Sequence, residues 1–397
     1  MTAPHGWWPL WLAGLAILGL LAACDGGPVP GEINAGSSQA TDPTDLSGLL
    51  HSGATDGFQR VIAGTPLEFP RDHGPHPRFR TGWWYFTGNL HSAAGRSFGY
   101  QLTFFRIALQ PGRAVRPSAW GSRQLYMAHF AITDTVAGRF YRRQRMARTG
   151  LKLAGAGARP FQVWLEDWRA ASVRPGQFLP LVLVARARTP QGARTPQGEI
   201  ALHLELRPGK PRILQGQGGY SAKSRESGNA SYYYSYPRLP TRGTLETPGG
   251  RFEVQGLSWF DREWSTSALS ADQIGWDWFA LQLDDGRDLM FYRLRRRDGR
   301  RDPSSAGVLV DAAGSSLPIA AGEFRLRPMR YWTSPGGRRY PVAWAIRYRN
   351  LSLEVQPRLD GQAYTRGIPY WEGAVRVSGR DSDVMVSGSG YLEMSGY

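Results

Sequence analysis

Two stretches of this chain repeat one another. Gly82-Trp83-Trp84-Tyr85-Phe86, three residues, Leu90, a turn, Gly95-Arg96, then Phe98 and Tyr100 is matched by Gly275-Trp276-Asp277-Trp278-Phe279, three residues, Leu283, a shorter turn, Gly286-Arg287, then Leu289 and Phe291. Each copy reads as an aromatic strand, a Gly-containing turn and a second alternating strand, which is a β-hairpin. Counted from Gly82 to Gly275 the offset is 193 residues. A hairpin duplicated at that distance, each copy opening a meander, constrains the chain to two related up-and-down β-barrels in tandem.

The rest of the sequence agrees with an all-β reading. In Glu199-Ile200-Ala201-Leu202-His203-Leu204-Glu205-Leu206-Arg207 the large apolar residues fall on even positions and the polar ones on odd positions, as in a half-buried strand. Leu351-Ser352-Leu353-Glu354-Val355 repeats the pattern. Pro-Gly pairs at Pro111, Pro175, Pro208, Pro248 and Pro335 supply turns. After the first two dozen residues no window shows helical spacing.

Those first residues are different. Residues 7–23 are apolar and end in Leu21-Ala22-Ala23-Cys24, which reads as an export signal, residues 1–23. Cys24 is the only cysteine of 397 residues, so it has no internal disulfide partner. The segment resembles the bacterial lipobox, whose cysteine is acylated (palmitate among the acyl chains) and becomes the membrane anchor. Asp25 resembles the residue that retains lipoproteins at the inner membrane. The expected location is therefore the bacterial cell envelope, lipid-anchored and facing the periplasm. Residues 24–59, rich in Gly, Ser, Thr, Pro and Asp, read as a flexible tether. The expected domains are then 60–248 and 249–397, one barrel each. The net charge of +16 is almost wholly arginine, with lysine only at positions 152, 210 and 223. Arginine is spread along the chain and the chain carries an export signal, so no nucleic-acid partner is expected.

Small closed barrels hold apolar ligands within walls of alternating side chains. Aromatic residues, 12% of the chain, concentrate in strand segments, and Trp83, Tyr85, Trp264, Trp276 and Trp278 are the candidate ligand-binding rings. Asp261, Arg262 and Glu263 stand between Trp259 and Trp264, where each charge needs a partner or a task. Asp261 is either a carboxylic acid kept protonated by its apolar surroundings or half of a buried ion pair that locks the barrels together. His129, inside the apolar run Tyr126–Ala131, is either a proton shuttle facing a cavity or a satisfied core histidine. Asp72, His73 and His76 have His-x-x-His spacing in a Gly/Pro-rich loop and read as a barrel cap rather than a metal site. No Gly-x-Ser-x-Gly elbow occurs, and the sole cysteine belongs to the anchor, so a nucleophilic mechanism lacks its signature.

The segments Pro70–Pro77, Arg80–Leu90, Gly99–Arg106, Ser231–Leu239, Trp259–Ser265, Gly275–Phe279 and Gly390–Glu393 occur in the order of the AttH-type, lipocalin-like family that includes carotenoid 1,2-hydratases. The chain resembles that family from about residue 60 to its C-terminus. The resemblance implies two lipocalin-like barrels, no cofactor and no metal. On the hydratase branch it implies Asp261 as the acid, Trp259 beside it, and Tyr232 and Tyr234 facing it, where the hydratases carry a histidine and a tryptophan. On the AttH branch it implies a carrier of a hydrophobic or amphipathic molecule beside an ABC-type transporter. A secreted hydrolase of unknown substrate is the third function associated with the family.

Overall fold

The computed structural model describes residues 55–112, 122–189, 198–267, 269–365 and 369–397. The expected export signal, Cys24, Asp25 and the tether up to residue 54 lie outside the described residues. Among those described, 13 strands form one antiparallel sheet and 10 form a second. Each sheet curls into a lipocalin-like barrel, as the repeat requires. At the open edge of the first, Arg145 on Arg139–Arg148 donates to the Arg186 carbonyl on Leu181–Thr189 (3.3 Å), and Arg143 to the Arg188 carbonyl (2.6 Å).

The duplication is visible in the strand order. The opening strand of the first sheet, Thr81–Ser92, lies between its second strand, Ser97–Ala108, and its last, Gly250–Ser265. In the second sheet Gln273–Leu283 lies likewise between Asp288–Arg296 and the final strand, Val384–Ser395. This corrects the expected boundary at 248/249, which falls in the turn between Ala230–Thr247 and Gly250–Ser265, two paired strands of the first sheet. The physical reason is closure: the first barrel needs Gly250–Ser265 to cover its opening strand, as Val384–Ser395 does for the second.

Each barrel is filled by its own apolar core, Trp84, Phe86, Phe130, Leu202 and Phe260 in the first and Phe279, Phe291, Trp344, Trp371 and Leu392 in the second. A third cluster takes side chains from both sheets, Tyr85, Tyr233 and Trp259 from one and Trp278, Tyr292 and Tyr391 from the other. It is the seam between the barrels. Gly99 lets them approach: a Cβ there would stand 2.5 Å from that of Ala374 and 2.9 Å from the Tyr391 hydroxyl. A buried ion pair pins the same seam, with Arg238 at 2.8 Å and Lys210 at 2.7 Å from the Asp288 carboxylate. Gln282 adds hydrogen bonds to the carbonyls of Pro237 (2.7 Å) and Ser258 (3.1 Å).

Candidate active site

Strand alternation decides which residues meet. On Gly250–Ser265, residues 259, 261 and 263 face the seam, while 260, 262 and 264 face the first barrel's interior. The register Ser235↔Asp261, Tyr234↔Arg262, Tyr233↔Glu263 and Tyr232↔Trp264 extends that division to Ala230–Thr247. Asp261 is therefore met by Tyr233 and Ser235. Tyr232 and Tyr234, expected to face it, point the other way with Trp264 into the barrel core. The expected cage of Trp259 and Trp264 is likewise half correct, because Trp264 is an odd number of positions from Asp261 and lies on the opposite face.

Asp261 is 3% exposed and makes no ion pair among the described residues, Lys223 being taken by Glu263; the ion-pair pin expected of it is supplied by Asp288. Its Oδ2 accepts from the Tyr233 hydroxyl (2.7 Å), and its Oδ1 from the Ser235 hydroxyl (2.5 Å) and the Trp259 indole N–H (2.7 Å). Trp278 from the second barrel donates to the Tyr233 oxygen at 3.1 Å, so the cluster spans the seam. Burial pushes the Asp261 carboxyl up to about 7 even though three donors oppose the shift.

In front of Asp261 lies a cavity with about 80 Å³ open to the centres of water molecules, room for several of them. Trp83, Tyr85, Trp276 and Trp278, four of the five rings expected to bind ligand, line it together with Tyr233, Tyr292 and Leu294. Facing Asp261 is Glu393, half-buried, which accepts from the Trp276 indole N–H at 2.9 Å. Burial, with the nearby carboxylates Glu263 and Asp261, pushes Glu393 to about 7 as well. The duplication explains the pairing. Asp261 is in register with Tyr85, and Glu393 with Trp278, the residue 193 positions after Tyr85. The two carboxyl groups occupy equivalent places in the two barrels and confront each other across the seam.

Glu263, on the same face, is ion-paired with Lys223 at 3.0 Å and accepts from Ser231. Burial alone would lower the Lys223 ammonium, but Glu263 outweighs it and the net shift is upward. This pair is a charged cavity wall, fully neutralised. Arg262, buried on the opposite face, lies over Trp84 (4.2 Å) and Trp264 (4.8 Å) and donates to the carbonyls of Gly74 and Glu263, both at 2.7 Å. His129 reaches the seam but not the cavity wall. Its Nδ1 is 2.6 Å from the Tyr370 hydroxyl, its ring stacks on Tyr364, and burial lowers it to about 3, so it is a neutral histidine of the interface. His73 bonds Tyr234 and His76 stacks on Trp264. Among the described residues no three His, Cys, Asp or Glu side chains are grouped to hold a metal ion.

The AttH-like family model matches residues 60–397. This chain belongs to the AttH-like family. A crystal structure of a protein assigned to AttH from Nitrosomonas europaea is similar at a TM-score of 0.74 with 33% identity, over 86% of this chain and 99% of that one. Kievitone hydratase from Nectria haematococca shares the fold at a TM-score of 0.62 and 12% identity, over 87% of this chain and 98% of its own. No curated protein matches the chain. Sequence reasoning missed Tyr233, Ser235 and Glu393. The signal for the first two was present, since a residue opposite Asp261 in an antiparallel pair shares its face. Glu393 was visible within the closing Gly390–Glu393 segment but had no assigned task.

Proposed function

We propose that the seam cavity of this AttH-like protein binds a hydrophobic or amphipathic unsaturated molecule and adds water to a carbon–carbon double bond, with Asp261 as the acid. The observation that carries this reading is a buried carboxyl, held near 7 by burial, that faces a largely aromatic cavity whose one lining cation, Lys223, is ion-paired with Glu263 rather than with Asp261. In the forward step the Asp261 proton passes to one alkene carbon, and the π electrons form the new C–H bond. The neighbouring carbon becomes a carbocation, which the faces of Trp83, Trp276 and Trp278 stabilise. A water oxygen bonds that carbon and gives its proton to Glu393 as the carboxylate. Proton exchange through solvent then returns Asp261 to its acid form. The test is incubation of wild type and Asp261→Asn with acyclic isoprenoids such as lycopene; absence of a hydrated product from both proteins overturns the reading.

A second reading is carriage without chemistry, favoured by the apolar rings on both walls of the cavity. Native mass spectrometry of protein extracted from membranes tests it. A co-purified lipid or isoprenoid supports it, and a protein that retains none counts against it. We propose further, from the sequence of residues 7–25, that acylated Cys24 holds the body at the periplasmic face of the inner membrane, and, from membership of the AttH-like family, that an ABC-type transporter is its partner there. Cys24→Ser should release the protein from the membrane fraction, and a variant that stays membrane-bound argues against the anchor.

A further inference from the structure

The outer face of the second barrel carries a row of residues fixed by register across five adjacent strands. Arg325 on Phe324–Thr333 pairs with Arg347 on Arg339–Tyr348, which pairs with Ser352 on Leu351–Pro357, then Arg380 on Tyr370–Asp381, then Met385 on Val384–Ser395. Every member of the row is exposed. The next row on the same face holds Arg327, Ala345, Glu354, Ser378 and Ser387, so that Glu354 is the single acid of the two rows. Arg376 and Arg339 are exposed farther along the same face. At 4.7–4.9 Å per strand the row spans roughly 20 Å.

This arrangement differs from several of the protein's other arginine sites. Arg186, Arg207, Arg287 and Arg296 each lie against a carboxylate. By contrast Arg325 and Arg347 stand directly opposite each other, a like-charge pairing that weakens a sheet. Beside the cations are exposed apolar side chains, Met329 at 41%, Tyr331 at 43%, Val384 at 68% and Met385 at 66%, and the Arg339 guanidinium lies 4.1 Å from the centre of the Tyr331 ring. Guanidinium groups that make no ion pair among the described residues, Arg325, Arg347 and Arg380, on a broad face with methionine and tyrosine at its margins, complement an anionic lipid surface: the cations meet headgroup phosphates and the apolar tips enter the headgroup layer.

We propose that this face of the second barrel docks on an anionic membrane surface. The inference is independent of the chemistry proposed for the seam. The test is co-sedimentation of the full chain with neutral phosphatidylcholine vesicles and with vesicles containing phosphatidylglycerol, at low and high salt. Any binding through the N-terminal segment is common to both vesicle types, so the difference between them reports the face. Wild type should prefer the anionic vesicles, and salt should erase the preference. The triple variant Arg325→Gln/Arg347→Gln/Arg380→Gln should lose about a hundredfold of that preference, roughly fivefold per arginine. A control with the same charge change at exposed arginines elsewhere, Arg159→Gln/Arg174→Gln/Arg169→Gln, should keep it. Equal binding to both vesicle types, or equal losses in the two variants, overturns the proposal. Binding to double-stranded DNA that depends on the same three arginines, with no vesicle preference, also overturns it and assigns the face to nucleic acid.

Discussion

Asp261 and Glu393 occupy equivalent positions in two duplicated barrels, yet their surroundings differ. Asp261 is enclosed, with three donors on its two oxygens. Glu393 is half-buried, with one donor from Trp276. Burial brings both to about 7 although both line the same cavity, and what differs is the number of donors that hold each carboxyl. Duplication produced two carboxyl groups, and the hydration proposed above assigns the acid role to the one held by three donors and the base role to the other. The barrel interiors diverged in the same way. The first buries Arg262 between indoles with no carboxylate in contact, whereas the second buries Asp277, bonded to Arg293 at 2.7 Å and to Tyr397 at 2.5 Å.

The largest effect expected from breaking this comparison is on activity. Asp261→Asn should lower kcat for hydration by 10²–10⁴-fold, the usual worth of a general acid, with an unchanged circular dichroism spectrum. Glu393→Gln should cost less, about tenfold to a hundredfold, because water in the half-open cavity can accept the proton. A loss in Glu393→Gln larger than in Asp261→Asn would reverse the assignment. Next is stability: Arg262→Ala should destabilise by about 3–5 kcal/mol in urea titration, since it removes the buried guanidinium's donations to the carbonyls of Trp83, Glu263 and Gly74 and leaves a void between Trp84 and Trp264.

The pH dependence sharpens the division further. The acid limb of the rate profile reports protonation of Glu393, and the basic limb loss of the Asp261 proton, giving a maximum near pH 7. Glu393→Gln should keep only the basic limb. Stability carries a related signature. Both carboxyl groups are raised on folding, from 3.8 and 4.5 to about 7, so the native state holds protons that the unfolded chain releases in this window. Their own contribution to stability therefore falls as pH rises from about 4 to 7, against the opposite contribution of His73, His76 and His129, which burial lowers to about 3, 2 and 3, so the signature is read in the difference between wild type and either amide variant. Wild type and the two amide variants with parallel stability curves through this range would contradict the raised carboxyl groups. The smallest effect is expected of Gly99→Ala, which would push the barrels apart at Ala374 and Tyr391 and weaken ligand retention a few-fold without unfolding either barrel.

Much of the fold was legible because period-2 alternation and the repeated Gly-x-Trp hairpin are local patterns. The barrel boundary was not, because nothing local distinguishes a closing strand from the opening strand of the next barrel; only its pairing with Thr81–Ser92 does. At the site, Asp261, Trp259 and the cavity tryptophans could be read from residue type alone. The choice of Tyr232 and Tyr234 over Tyr233 was a one-residue error in facing, and in a strand one residue changes sides. The role of Glu393 needed the seam itself, since it lies 132 positions after Asp261 and meets it only when the barrels dock.

The hydration proposed for the seam requires an Asp261 carboxyl still partly protonated at neutral pH while it faces the cavity. ¹³C NMR of protein labelled at the aspartate carboxyl carbons, titrated from pH 4 to 9 and assigned by the resonance missing in Asp261→Asn, measures this directly. The account predicts that this carboxyl titrates near pH 7. A resonance already that of a carboxylate at pH 5 would contradict it.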